Sequence, residues 1–175
     1  SEIEKVEEEI RRILEEHKRI SDEVKRRVRK STEEHEKRTE DVERRSREIN
    51  EEVEARLVRD KDILRDLKRR SKELNDEARK LSKRNRETNT RLLEELDDIS
   101  RELKERIERI EKMLKDGKDV EEVLRRIRKL AEEVNKELKR LLDESKESDD
   151  RLNKRLTEIL RENEELARDV ARRVK

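Results

Sequence analysis

The sequence predicts an all-α fold, an up-down-up antiparallel three-helix bundle of long, nearly straight helices. Three observations carry this. The chain of 175 residues has no Pro and a single Gly, so almost nothing interrupts a helix. Apolar residues recur along it with the helical repeat, about 3.6 residues per step. The stripe breaks at two places, near residues 60 and 117, about a third of the chain apart. The expected domain is a single bundle over residues 1–175, with helices over about 2–58, 62–115 and 119–174.

The first helix opens on Ser1 and Glu4, an S-x-x-E capping box in which each side chain meets a free backbone N–H. Its inward stripe reads Ile3, Val6, Ile10, Ile13, His17, Ile20, Val24, Val28, Ser31, His35, Thr39, Val42, Ser46, Ile49, Val53, Leu57. A strict heptad repeat would average 3.5 residues and wind the helices left-handed; about 3.6 keeps them almost straight. The break at Val58-Arg59-Asp60-Lys61-Asp62 lacks Gly and Pro, and rests on the phase change and on Asp62 as an N-cap before Ile63.

The second helix carries Leu64, Leu67, Ser71, Leu74, Ala78, Leu81, Asn85, Asn89, Leu92, Leu96, Ile99, Leu103, Ile107, Ile110 and Leu114 inward. The break after it is stronger. Asp116-Gly117-Lys118-Asp119 supplies the one Gly as a left-handed terminator, then Asp119 as N-cap with Glu122 completing a capping box. The third helix carries Val120, Val123, Ile127, Leu130, Val134, Leu138, Leu141, Ser145, Ser148, Leu152, Leu156, Ile159, Asn163, Leu166, Val170 and Val174 inward. Short connections place consecutive helices antiparallel. A single isolated helix held by ion pairs is the competing reading, and the continuous apolar stripe and Gly117 both argue against it.

Folding at the two breaks sets the register. Residue n of the first helix then lies near 120 − n on the second, and residue m of the second near 235 − m on the third. The polar interruptions of the stripes fall together at three levels. One holds His17, Ser100 and Asn135. Another holds Ser31, His35, Asn85, Asn89, Ser145 and Ser148, with Thr39 beside them. The last holds Ser46, Asn50, Ser71, Asn75 and Asn163. Buried polar groups are costly when unpaired and nearly neutral when paired, so matched layers penalise any wrong register. Ser, Thr, Asn and His bring both donors and acceptors to such a layer without formal charge. His35 is expected to be buried near Asn85 or Asn89 and near Ser145 or Ser148.

Composition narrows the function classes. Charged residues make up 59% of the chain, and 52 Lys+Arg nearly balance 51 Asp+Glu, so no net field steers it to nucleic acid or an anionic membrane. There is no aromatic residue to stack on bases and no Cys for thiolate chemistry or zinc. No signal peptide and no bilayer-spanning apolar run are read; the expectation is a soluble protein, cytoplasmic if expressed recombinantly, with its natural location unspecified.

The whole chain resembles de novo designed helical bundles with buried hydrogen-bond networks. The resemblance lies in the absence of Pro, Cys and aromatics, the equal helix lengths, the D-G-K-D connection, the Glu/Lys/Arg outer faces, and the Ser, Thr, Asn and His in matched core layers. It implies a structural protein or scaffold with no natural biochemical activity. Common members are hairpins that assemble into homo-oligomers. Three helices in one chain imply instead that no partner is required, with a monomer favoured over a homo-oligomer.

The residues with chemical potential are few. His17 and His35 share a face but stand five turns apart, so they do not bind one metal together. Ser31 and His35 are one turn apart, yet no Gly-rich turn or cleft offers an oxyanion site, and no enzyme is expected. No metal and no cofactor is expected either. The basic run Lys25-Arg26-Arg27-Val28-Arg29-Lys30 is flanked by acids and reads as a solvated face. Adjacent apolar pairs such as Ile13-Leu14 and Leu141-Leu142 widen the stripe. They keep open a second reading: a self-associating or partner-binding bundle, its polar layers setting partner choice, pH-responsive through His35 and His17.

Overall fold

A computed structural model describes residues 1–56 and 60–173. They form three helices packed against one another, α1 (Glu2–Arg56), α2 (Lys61–Lys115) and α3 (Val120–Arg173), with no strand among the described residues. The fold is an all-α three-helix bundle. Leu57, Val58 and Val174, at the ends of the expected helices, lie outside the described residues.

Local chemistry sets the helix ends. The Glu4 backbone N–H donates to Ser1 Oγ at 3.3 Å, and the Ser1 amine reaches Glu4 Oε2 at 3.4 Å, as in a reciprocal capping box. At the start of α2 the cap is Asp60, not Asp62. Asp60 Oδ1 accepts from Ile63 N at 3.3 Å and its carbonyl from Leu64 N at 3.3 Å. The helix begins one residue earlier than expected, so Asp62 falls inside the first turn, where its charge faces the helix dipole instead of capping it. Gly117, at φ 79°, ends α2 in the left-handed region. Lys118 N bonds back to the Met113 carbonyl at 3.1 Å and Gly117 N to that of Leu114 at 3.3 Å, the paired bonds of a Schellman motif. Asp119 precedes α3, and its carbonyl accepts from Val123 N at 3.1 Å. Glu122 lies 3.6 Å from Arg126.

The helices contribute to two compact units. One comprises Ser1–Arg29 and Asn89–Lys146, the other Lys30–Thr88 and Glu147–Lys175. In the first, α1 and α2 run antiparallel, with His17 against Ser100 and Asn89 against the Val28 carbonyl. There α2 and α3 are also antiparallel, with Arg91 against Glu144, Glu95 against Arg140 and Arg106 against Glu133. Its core joins Val6, Ile20, Val24 and Val28 to Leu92, Leu96, Leu103, Ile127, Leu130, Leu138 and Leu141. In the second unit, Glu36 meets Arg86, Glu43 meets Arg79 and Glu54 meets Lys68 across α1 and α2. Two apolar clusters fill it, one around Val42, Leu74, Leu152, Leu156 and Ile159, the other around Ile49, Val53, Leu67 and Val170.

Every buried apolar residue of α1 is Val or Ile, whereas α2 and α3 supply most of the Leu. The stiff, short β-branched chains on one wall leave room for the longer Leu on the others. A fully buried Leu contributes about 1.5–3 kcal/mol of transfer free energy. So a sparse stripe carries the bundle, although apolar residues make up only 27% of the chain. One stripe residue departs from expectation: Ile3 is 53% exposed, because it sits in the first turn of α1 where the core has tapered out.

Candidate functional site in the buried polar layers

The stripe places a polar side chain wherever a turn of helix faces inward without an apolar residue. The hydrogen bonds these side chains make differ from level to level. In the second unit, Ser46 stands on α1, Asn75 on α2 and Asn163 on α3. Ser46 Oγ donates to Asn75 Oδ1 at 3.0 Å and accepts from Asn163 Nδ2 at 2.6 Å. One hydroxyl therefore ties all three helices, and both its donor and acceptor capacity are used. Ser46 and Asn163 are buried and Asn75 is half-buried. Ser71 is buried, and Asn50 keeps a buried Oδ1 with no hydrogen-bond partner; neither joins this trio.

In the first unit, His17 Nε2 lies 2.8 Å from Ser100 Oγ and 3.4 Å from Ser21 Oγ. Ser100 Oγ also donates to the Leu96 carbonyl at 3.0 Å. Its single proton is thereby committed, so His17 Nε2 carries the hydrogen and donates to Ser100. Nδ1 is then a bare lone pair, buried and without a partner. Protonating it would create a buried N–H with no acceptor. Burial and the ammonium groups of Lys25 and Lys104 push the His17 pKa below its usual 6.5. Asn135 is half-buried on α3 and is not hydrogen-bonded to His17 or Ser100.

The six residues expected at the remaining level divide between the units. Asn89 and Ser145 are buried in the first, where Asn89 Nδ2 donates to the Val28 carbonyl at 3.4 Å. Ser31, His35, Asn85 and Ser148 belong to the second, with Ser148 half-buried. There Asn85 Nδ2 reaches Ser31 Oγ at 3.4 Å, while Asn85 Oδ1 is buried without a partner.

His35 is fully buried, and its polar partner is a carboxylate. Its Nε2 stands 2.6 Å from Asp149 Oδ1, not from an Asn or Ser. Asp149 Oδ2 accepts from Asn153 Nδ2 at 3.4 Å, Asn153 Oδ1 accepts from Arg38, and Arg38 Nη2 donates to Thr157 Oγ1 at 2.9 Å. This relay leads from a buried imidazole to the exposed Thr157. Thr39 Oγ1 turns back to the His35 carbonyl at 2.8 Å. His35 Nδ1 has no partner, so Ser31, one turn away, is not coupled to it as a nucleophile to a base. A signal for Asp149 was present in the sequence: Ser145, Asp149, Leu152 and Leu156 keep helical spacing, so residues 148 and 149 straddle the stripe and either can turn inward.

Around these layers the outer faces are laced by ion pairs. Arg155 grips Glu77 with two bonds of 2.6 and 2.7 Å and also reaches Glu158 and Glu162. Arg45 grips Glu164 at 2.6 and 3.2 Å. The bonds to these guanidinium groups hold the Glu77 and Glu164 carboxyls below the usual range. Among the described residues no cluster of three or more His, Cys, Asp or Glu is placed to hold a metal ion. No described helix is long and apolar enough to cross a membrane. No protein-family model, curated protein or solved structure matches the chain.

Proposed function

We propose that the chain is a structural protein of the designed-bundle kind, a scaffold without catalytic activity, and that its buried polar residues specify helix register. The observation that carries this reading is the Ser46–Asn75–Asn163 trio, one residue from each helix meeting on one hydroxyl. Such a contact adds little net stability, because folding exchanges bonds to water for bonds to protein. Its value lies in what it forbids. Sliding α3 by one turn would leave the Asn163 amide buried among apolar side chains, at a cost of about 1–3 kcal/mol.

Replacing the trio by Ser46→Val, Asn75→Leu and Asn163→Leu tests this. The expected variant is at least as stable as the parent to urea but shows several sets of amide resonances, because registers one turn apart become close in energy. A variant that keeps one sharp set of resonances, with the parent's long-range contacts, would overturn the specifying role. The bundle with pH-dependent behaviour remains a second reading, favoured by the depressed His17 pKa and its unpartnered Nδ1.

A further inference from the structure

Among the described residues two large apolar side chains are exposed, and both lie on α1 in the first unit: Ile3 at 53% and Leu14 at 41%. They are eleven residues, or three turns, apart, so they share one face. They rim a groove between the start of α1 and the end of α2, floored by Val6, Ile10 and Leu114. Along α1 the exposed row reads Ile3, Glu7, Arg11, Leu14. Along α2 the groove is edged by Glu111 and Lys115. Among the described residues none of these four charged side chains is paired within the chain, although ion pairs lace most of the outer surface.

We propose that this groove is the contact face of a weak, two-fold symmetric dimer, and that its occupant is a second copy of the same chain. The row is its own complement when reversed. Laid antiparallel on a second α1, Ile3 meets Leu14 of the other copy, Glu7 meets Arg11, Arg11 meets Glu7 and Leu14 meets Ile3. A symmetric interface requires this kind of self-complementarity, in which residue i contacts j and j contacts i. A parallel arrangement would stack Glu7 on like charge or on nothing. The proposal departs from the expectation of a monomer and does not depend on the structural reading above. The face spans only about four turns of two helices, so it falls in the small class of interfaces, below ~1,200 Å², that associate weakly.

The test is sedimentation equilibrium of the purified chain from about 1 µM to about 1 mM, the range in which a small interface populates. The expected mass rises from 21.5 kDa towards twice that value. Ile3→Lys with Leu14→Lys should hold the mass at the monomer value throughout, with helicity by circular dichroism unchanged because both sites are already exposed. Glu7→Arg should weaken association at least about tenfold by facing Arg11 of the other copy with like charge. Adding Arg11→Glu should restore it, because the swapped pair is again self-complementary. A parent that stays monomeric at the highest concentration would overturn the proposal. So would a dimer indifferent to the two Lys substitutions, which would place the contact elsewhere. A Glu7→Arg loss that Arg11→Glu does not rescue would exclude the antiparallel alignment.

Discussion

Ser46→Ala probes the trio at its hub. The hydroxyl donates to Asn75 and accepts from Asn163, and it is 1% exposed. Removing it leaves the Asn163 amide, 2% exposed, with a donor that water does not easily reach. An unmet buried donor costs about 1–3 kcal/mol. Asn75 is half-buried and can turn to solvent, so its loss is limited to the net value of one bond, about 1 kcal/mol. Together the expected destabilisation is about 2–4 kcal/mol. For a chain of this size that lowers the thermal midpoint by about 4–16 °C. With no Trp, Tyr or Phe, fluorescence is silent, and the assay is urea unfolding followed by far-UV circular dichroism at constant m-value. A loss under about 0.5 kcal/mol would refute the reasoning, since it would mean that the Asn163 amide finds water or another acceptor at no cost.

Three further outcomes are expected. Asp149→Ala leaves the His35 Nε2 proton without its acceptor 2.6 Å away and should cost about 1–2 kcal/mol in urea at pH 7, whereas Asp149→Asn, which keeps an acceptor, should cost less. An unchanged midpoint in Asp149→Ala would show the pair contributes nothing. His17 has a folded-state pKa below its unfolded 6.5, so the unfolded chain binds the proton first and stability should fall as pH drops from about 6.5 through the folded value. His17→Gln should flatten that part of the curve while leaving the steeper loss below about 4.5, where Glu77 and Glu164 are protonated away from Arg155 and Arg45; an unaltered profile in the variant would remove His17 from the explanation. Gly117→Ala meets no neighbouring atom but must hold φ near +79°, so it should cost about 1–2 kcal/mol, with Gly117→Asn costing less; equal stability of all three would mean the turn had changed conformation.

Much of the bundle was legible because its signals are local and periodic. Helix length follows from uninterrupted helix formers, and the end of α2 from the one residue that adopts positive φ without strain. Pairing arithmetic placed His17 opposite Ser100 and Ser46 opposite Asn75, because two fold points fix the register of an antiparallel pair. Spacing says which turn faces inward. It does not say which of two neighbouring side chains on that turn reaches a partner.

That second choice was made by packing. Asp149 lies beside Ser148 on the edge of the stripe, and a small rotation of α3 about its axis decides which of them meets His35. The result is a carboxylate where an uncharged layer was expected, extended through Asn153 to Arg38. Asn135, expected at the level of His17, is half-buried and makes no bond to it. Asp60 took the cap expected of Asp62 because the helix started one residue earlier. The sequence by itself determined the number of helices and the antiparallel pairing that brings His17 to Ser100 and Ser46 to Asn75, since these depend on spacing along one chain. Tertiary structure alone decided the partner of each buried polar atom. A hydrogen bond is settled within a few tenths of an ångström, by how far three helices turn to bury their Leu, Ile and Val.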